Sequence, residues 1–124
     1  MRTLLIVGEA RDGAAAADAW AGYAQLRWGE NASGFYGGPA VELARFYVDR
    51  PWQGRGAAQV LMRAALEAAA AEGAREAWLG VWQRNARAVR FYEKSGFRIV
   101  GAQTFTMGSD AQPDHVMARP LPFP

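Results

Sequence analysis

The sequence predicts an α/β fold, a mixed sheet with two helices packed on it, and three observations carry that reading. A strand-like run, VELARFYV (residues 41–48), leads into an alanine-rich helical pattern and then into a second strand-like run, EAWLGVW (residues 76–82). Strand, helix and strand in that order describe a right-handed crossover, which sets the two strands parallel. Apolar runs separated by turn signals toward both ends of the chain add antiparallel hairpins. At 124 residues the chain has the size of one domain, residues 1–124, and is long enough to bury a core.

Each element has its own signal. TLLIVGE (3–9) reads as the first strand and Asp12-Gly13 as a turn. AWAGYAQLRW (19–28) alternates Trp20, Gly22, Ala24 and Leu26 with Ala21, Tyr23, Gln25 and Arg27, so it reads as the second strand and hairpin partner. GENASGFYGGP (29–39), rich in glycine, reads as a loop. From Gly56 to Glu72, Leu61, Ala65 and Ala68 share one helical face and Met62, Leu66 and Ala69 an adjoining one, with Gln59, Arg63 and Glu67 on the opposite stripe. Gly73 stops this helix. EAWLGVW reads as apolar on both faces, Asn85 as the cap of a second helix, ARAVRFYEKS (86–95), and Gly96 as its end. FRIVGAQTF (97–105) and DHVMARPL (114–121) read as closing strands, with GSDAQPD between them as a hairpin loop.

Composition narrows the function. The chain has no cysteine and a single histidine, which removes disulfides, a thiolate nucleophile and thiolate zinc sites and leaves little for any metal cluster. The apolar run at the start ends at Gly8 and Glu9, too short for a membrane span or an export signal, so a cytoplasmic location and no membrane partner are expected. A net charge of +2 is too small to argue for nucleic acid, although 13 of the 14 basic residues are arginine.

The stretch RPWQGRGAAQ (50–59) joins the third strand to the first helix. Small side chains there leave backbone N–H groups at a helix start without intrahelical partners, an arrangement that suits a pyrophosphate. It matches neither the P-loop nor the dinucleotide fingerprint, lacking the terminal Lys-Ser/Thr of the one and the glycine spacing of the other. A glycine-rich turn that merely packs tightly fits the same residues.

Two motifs together resemble the GNAT superfamily of N-acetyltransferases. Q53-G-R-G-A-A58 is similar to its acetyl-CoA loop, and N85-A-R-A-V-R-F-Y-E-K-S-G-F97 to its last helix, in the right order and each on the expected element. The resemblance covers residues 3 to 120 and implies a mainly antiparallel central sheet with one splayed parallel strand pair, residues 41–48 and 76–82. Within the superfamily, ELARFYV and FTMGSDAQPDHVM resemble bacterial members that include polyamine and protein acetylators.

The resemblance implies roles for particular residues. Backbone amides of Gly54, Arg55, Gly56, Ala57, Ala58 and Gln59, after Gln53, would hold the pyrophosphate of acetyl-CoA. The edge of Phe46, Tyr47 and Val48 would pair with pantetheine, with the Val48 N–H on the thioester carbonyl, and Asn85 would bond the same arm from the far side. Tyr92 would protonate the departing thiolate, its ordinary pKa near 10 lying above that of a thiol. Glu42 would serve as the base for a primary amine. Holding a lysine-like amine neutral at pH 7 costs about 4.6 kcal/mol against about 1 for an α-amine, which makes a base useful. With no cysteine as acyl carrier, transfer would be by direct attack. No metal is implied.

Plainer roles fit the same side chains: a helix cap for Asn85, apolar helix face for Tyr92, an exposed or Arg45-paired carboxylate for Glu42. Arg84, Arg87, Arg90 and Lys94 recur at helical spacing and read either as a solvated stripe or as contacts to phosphate. Two other functions stay open, a non-catalytic acyl-CoA-binding regulatory module and a nucleic-acid-binding domain. By the same resemblance the sequence is expected to start after the family's opening strand and two helices, one wall of the acceptor site. The apolar surface bared by their absence predicts a homodimer, and a monomer mass in light scattering at micromolar concentration would contradict it.

Overall fold

The computed structural model of the protein describes residues 2–9, 20–28, 38–50, 56–107 and 110–122. The turn read at Asp12-Gly13, most of the loop at 29–39, and Gln53, Gly54 and Arg55 of the phosphate junction lie outside the described residues. The elements in chain order are β1 (Arg2–Glu9), β2 (Trp20–Trp28), β3 (Ala40–Val48), α1 (Ala57–Ala71), β4 (Glu76–Trp82), α2 (Ala86–Lys94), β5 (Arg98–Met107) and β6 (Asp110–Pro120). They build a six-stranded sheet in the order β1-β2-β3-β4-β6-β5. Among the described residues only the β3–β4 pair is parallel.

That parallel pair is short. β3 and β4 match at Ala40–Glu76, Val41–Ala77 and Glu42–Trp78, and the register goes no further. Beyond it each strand stays with its other neighbour, β3 on β2 as far as Gly22–Val48 and β4 on β6 as far as Trp82–Asp114. The sheet therefore opens as a fork whose base is Glu42 and Trp78.

A bulge accompanies the fork. Gln25 of β2 faces Arg45, but the next residue, Leu26, faces Leu43, so Ala44 is an extra residue in β3. Side chains alternate faces along a strand, and one inserted residue resets the alternation. Buried Val41 and Leu43 are thus followed, on the same face, by half-buried Phe46 and buried Val48. Opposite Val48, Gly22 leaves room that a Cβ would take from the Tyr47 carbonyl oxygen and from Val48 Cα, the latter at 2.9 Å.

The core lies on this one face. Leu61, Met62, Ala65, Leu66 and Ala69 of α1 are buried and join Leu26, Val41, Leu43, Leu79 and Met117 in one cluster, against which Phe91 and Tyr92 of α2 also pack. Both helices therefore cover the same side of the sheet. The other side carries Tyr23 and Tyr47, Arg27 and Glu42, and Trp78 and Trp82. Among the described residues no helix covers that side.

Two readings of the sequence need correction. β4 is continuously buried along the helix face, through Ala77, Leu79 and Val81. On its other face Gly80 is exposed and Trp82 is 46% exposed, while Glu76 at the strand start is a fully buried carboxyl group. The segment GSDAQPD is not a long loop. β5 and β6 stay paired to Met107–Asp110, leaving only residues 108 and 109 between them. Pro113 is tolerated inside β6 because the β4–β6 ladder ends at Trp82–Asp114, so its absent N–H interrupts no β4 ladder, while its carbonyl accepts from the Gln83 N–H at 3.2 Å.

Candidate active site

The start of α1 is built to receive negative charge. Its N-cap, Gly56, has φ 81°, no side chain caps the helix, and the first turn holds no acidic residue. The first internal bond runs from the Val60 N–H to the Gly56 carbonyl at 3.2 Å. The amides of Ala57, Ala58 and Gln59 consequently have no acceptor within the helix, and the helix dipole places partial positive charge on them. A Cβ on Gly56 would meet nothing within 4 Å, so tight packing does not explain this glycine. Its left-handed backbone does, and the space beside it is open.

The end of β3 supplies the second part. Phe46 and Val48 point to the helix face and Tyr47 to the other. Phe46 stacks on Phe91 of α2 with ring centroids 5.6 Å apart. Tyr47 is 45% exposed, and its hydroxyl donates to Asp49 Oδ1 at 3.1 Å. That bond and the Asp49 charge raise the Tyr47 phenol above its ordinary value. All three residues lie past the fork, where β4 no longer accompanies β3.

Helix α2 brings the remaining side chains. Asn85 caps it: Oδ1 accepts from the Ala88 N–H at 3.2 Å, which leaves the amide Nδ2 with its two donors. Tyr92 lies between Phe91, at 5.6 Å, and Phe97, at 6.0 Å between centroids. Burial raises its pKa, so the phenol holds its proton throughout the neutral range.

Glu42 sits at the base of the fork on the uncovered face. Its Oε1 accepts from Arg27 Nε at 3.1 Å, and both side chains are partly exposed. Arg27, directly opposite on β2, is the partner, not Arg45, because the bulge sets Arg45 against Gln25. Glu42 and Tyr92 thus belong to opposite sides of the sheet, Glu42 at the base of the fork on the uncovered face and Tyr92 packed against the core on the helix face. Arg84, Arg87, Arg90 and Lys94 are all exposed. Sequence reasoning missed Arg27 as a partner of Glu42, since the register of β2 on β3 depends on a bulge that no composition signal marks.

The sheet is thus forked between parallel strands, with a bare helix start at the crossover and a phenol on the following helix. The family model described as "Acetyltransferase (GNAT) family" matches residues 4–97, and the chain belongs to that family. Uncharacterized N-acetyltransferases of Mycobacterium tuberculosis and Mycobacterium bovis are 44% identical over 100 residues, 81% of this chain and 60% of theirs. The matched region thus spans less than two thirds of these relatives. Among solved structures, nourseothricin acetyltransferase superposes with a TM-score of 0.76 at 25% identity, over 97% of this chain and 66% of that one. A PaiA N-acetyltransferase from Thermoplasma acidophilum in complex with coenzyme A shares the fold, with a TM-score of 0.64 at 24% identity over 86% of this chain and 57% of that one. Among the described residues no helix is long and apolar enough to cross a membrane.

The cap on α2 can be separated from any ligand role of Asn85. Asn85→Ala is expected to cost about 1 kcal/mol in urea unfolding, whereas Asn85→Ser, which keeps a capping oxygen, stays within a few tenths. Equal losses from both would contradict the cap assignment.

Proposed function

We propose that the chain is an N-acetyltransferase domain that binds acetyl-CoA across the β3–β4 fork and passes the acetyl group directly to a primary amine. One observation carries the reading: the sheet opens past Glu42–Trp78, and the element that follows the open arm of β3 is a helix start whose amides have no internal acceptor. The amides of Ala57, Ala58 and Gln59, following Gly56, would hold the pyrophosphate, with Gln53, Gly54 and Arg55 leading into them. The edge at Phe46, Tyr47 and Val48 and the Nδ2 of Asn85 would hold the pantetheine arm. The residues fit the group because the space beside Gly56 is open and no first-turn carboxylate repels a phosphate.

When bound, acetyl-CoA supplies a thioester whose C–S bond breaks as the C–N bond to the amine forms. Tyr92 keeps a proton at its Oη for the leaving sulfur, and burial keeps that proton in place at neutral pH. Glu42 takes the proton shed by the amine nitrogen, directly or through one water. Arg27 steadies the carboxylate through Oε1, and a carboxylate accepts several bonds, so capacity remains. The acid on the helix side and the base on the uncovered side of the fork suit an amine that enters opposite the sulfur. The narrower likeness to polyamine and protein acetylators makes polyamines and lysine side chains the first acceptors to try.

Calorimetric titration with acetyl-CoA tests the reading on the wild type and on Gly56→Glu, which puts a carboxylate and a disfavoured φ at the helix start. The expected result is micromolar binding that the substitution weakens at least tenfold, followed by turnover in a screen of polyamines, α-amines and lysine peptides. Tight binding without turnover of any amine would favour a non-catalytic acyl-CoA-binding module. Folded wild type that does not bind overturns the cofactor site.

A further inference from the structure

The C-terminus of α2 is closed by a Schellman motif that includes the phenol's own residue. The Phe97 N–H bonds the Tyr92 carbonyl at 3.0 Å and the Gly96 N–H bonds the Glu93 carbonyl at 3.0 Å. Gly96 takes φ 94°, as the left-handed position of such a cap requires. The Tyr92 and Phe97 rings meet edge to face, the apolar contact that accompanies the motif. Phe97 is buried, so the ring that backs Tyr92 is anchored in the core.

One residue from outside the helix completes the cap. Arg119, on β6, is buried, and its Nη1 donates to the Ser95 carbonyl at 2.7 Å while its Nε donates to the Pro120 carbonyl at 3.0 Å. The short bond to Ser95 reaches the C-cap carbonyl of α2, at the negative end of the helix dipole, where a cation is favoured. Gly96 is shaped to this contact as well as to its own φ. A Cβ there would come within 2.6 Å of Arg119 Nη1. The sheet thus holds the end of α2 through a planar, two-pronged group, one prong on the strand and one on the helix.

We propose that Arg119 is a positioning residue for Tyr92, fixing the end of α2 on β6 so that the phenol stands at the fork in one orientation. It acts through the Ser95 carbonyl and the Schellman turn. The proposal rests on the reading of Tyr92 as proton donor, and the experiment separates the two. Displacement of a catalytic group by about an ångström costs up to about 100-fold in rate, so a slackened helix end should register in kcat.

Rates are measured with acetyl-CoA and the best acceptor of the screen, for wild type, Arg119→Met, Tyr92→Phe and the double variant. Arg119→Met is expected to lower kcat about tenfold, leave KM for acetyl-CoA within about twofold, and cost less than about twofold once Tyr92 is phenylalanine. An equal fold loss in both backgrounds, or no loss in the first, overturns the proposal. Full activity of Tyr92→Phe removes the proton-donor reading and the proposal with it. Where Arg119→Met does not fold, Arg119→Lys, which keeps one donor for Ser95 but loses the fork, enters the same cycle with the same criteria. A readout independent of turnover is the ultraviolet titration of tyrosinate in the ligand-free protein, each variant referenced to its own Tyr92→Phe form. Loosening admits water to the phenol, so its ionisation is expected to move to lower pH in Arg119→Met. An unmoved ionisation overturns the proposal.

Discussion

The brevity of the β3–β4 ladder is the constraint on which the rest of the structure depends. Three register pairs hold the strands together at their start, and then each follows a different antiparallel neighbour. Hydrogen-bonding groups along an internal strand edge need partners, so a sheet that opens in its middle is costly unless something else occupies the gap. Val41 and Leu43 of β3 and Leu79 and Val81 of β4 are buried in one cluster on the helix face, which anchors both strands on either side of the fork. The rigid arms leave a slot, and the crossover helix starts beside it.

The bulge at Ala44 makes the slot usable. Without it the residues after Leu43 would swap faces, Phe46 and Val48 would leave the core, and the arm would have nothing to pack against. With it, Phe46 reaches Phe91 and links the third strand to the second helix. A chain of rings then runs from Phe46 through Phe91 and Tyr92 to Phe97, so strand arm, helix and core are one packed unit. On the far face the same reset sets Glu42 against Arg27 and Tyr23 against Tyr47.

Much of this was legible in the sequence. The helical stripe of Leu61, Met62, Leu66 and Ala69, the Asn85 cap and the Gly73 and Gly96 stops are local signals, and the helices they mark appear with ends shifted by no more than a residue. The parallel crossover followed from element order alone. The splay of that parallel pair in a mainly antiparallel sheet came from the likeness of two motifs to a known family, and the order of the strands was not read, because nothing local encodes it. What stayed illegible depends on register: the pairing of Arg27 with Glu42, the bulge behind it, and the extension of β5 and β6 through GSDAQPD. Glu76 and Arg119 were also missed. Each is a charged residue in an otherwise apolar strand, which composition reads as a solvent-facing position although both are buried. Gln53, Gly54 and Arg55 remain expectations, since they lie outside the described residues.

The central claim, that the bare start of α1 and the arm of β3 past the fork together form the cofactor cradle, has a direct test in the backbone amides themselves. Nitrogen-15 amide shifts followed during titration with coenzyme A should move most at Gly56 to Gln59 and at Phe46 to Val48, the start of α1 and the end of β3. Shifts confined to the arginine stripe of α2, with both of those segments unmoved at saturation, would contradict the account.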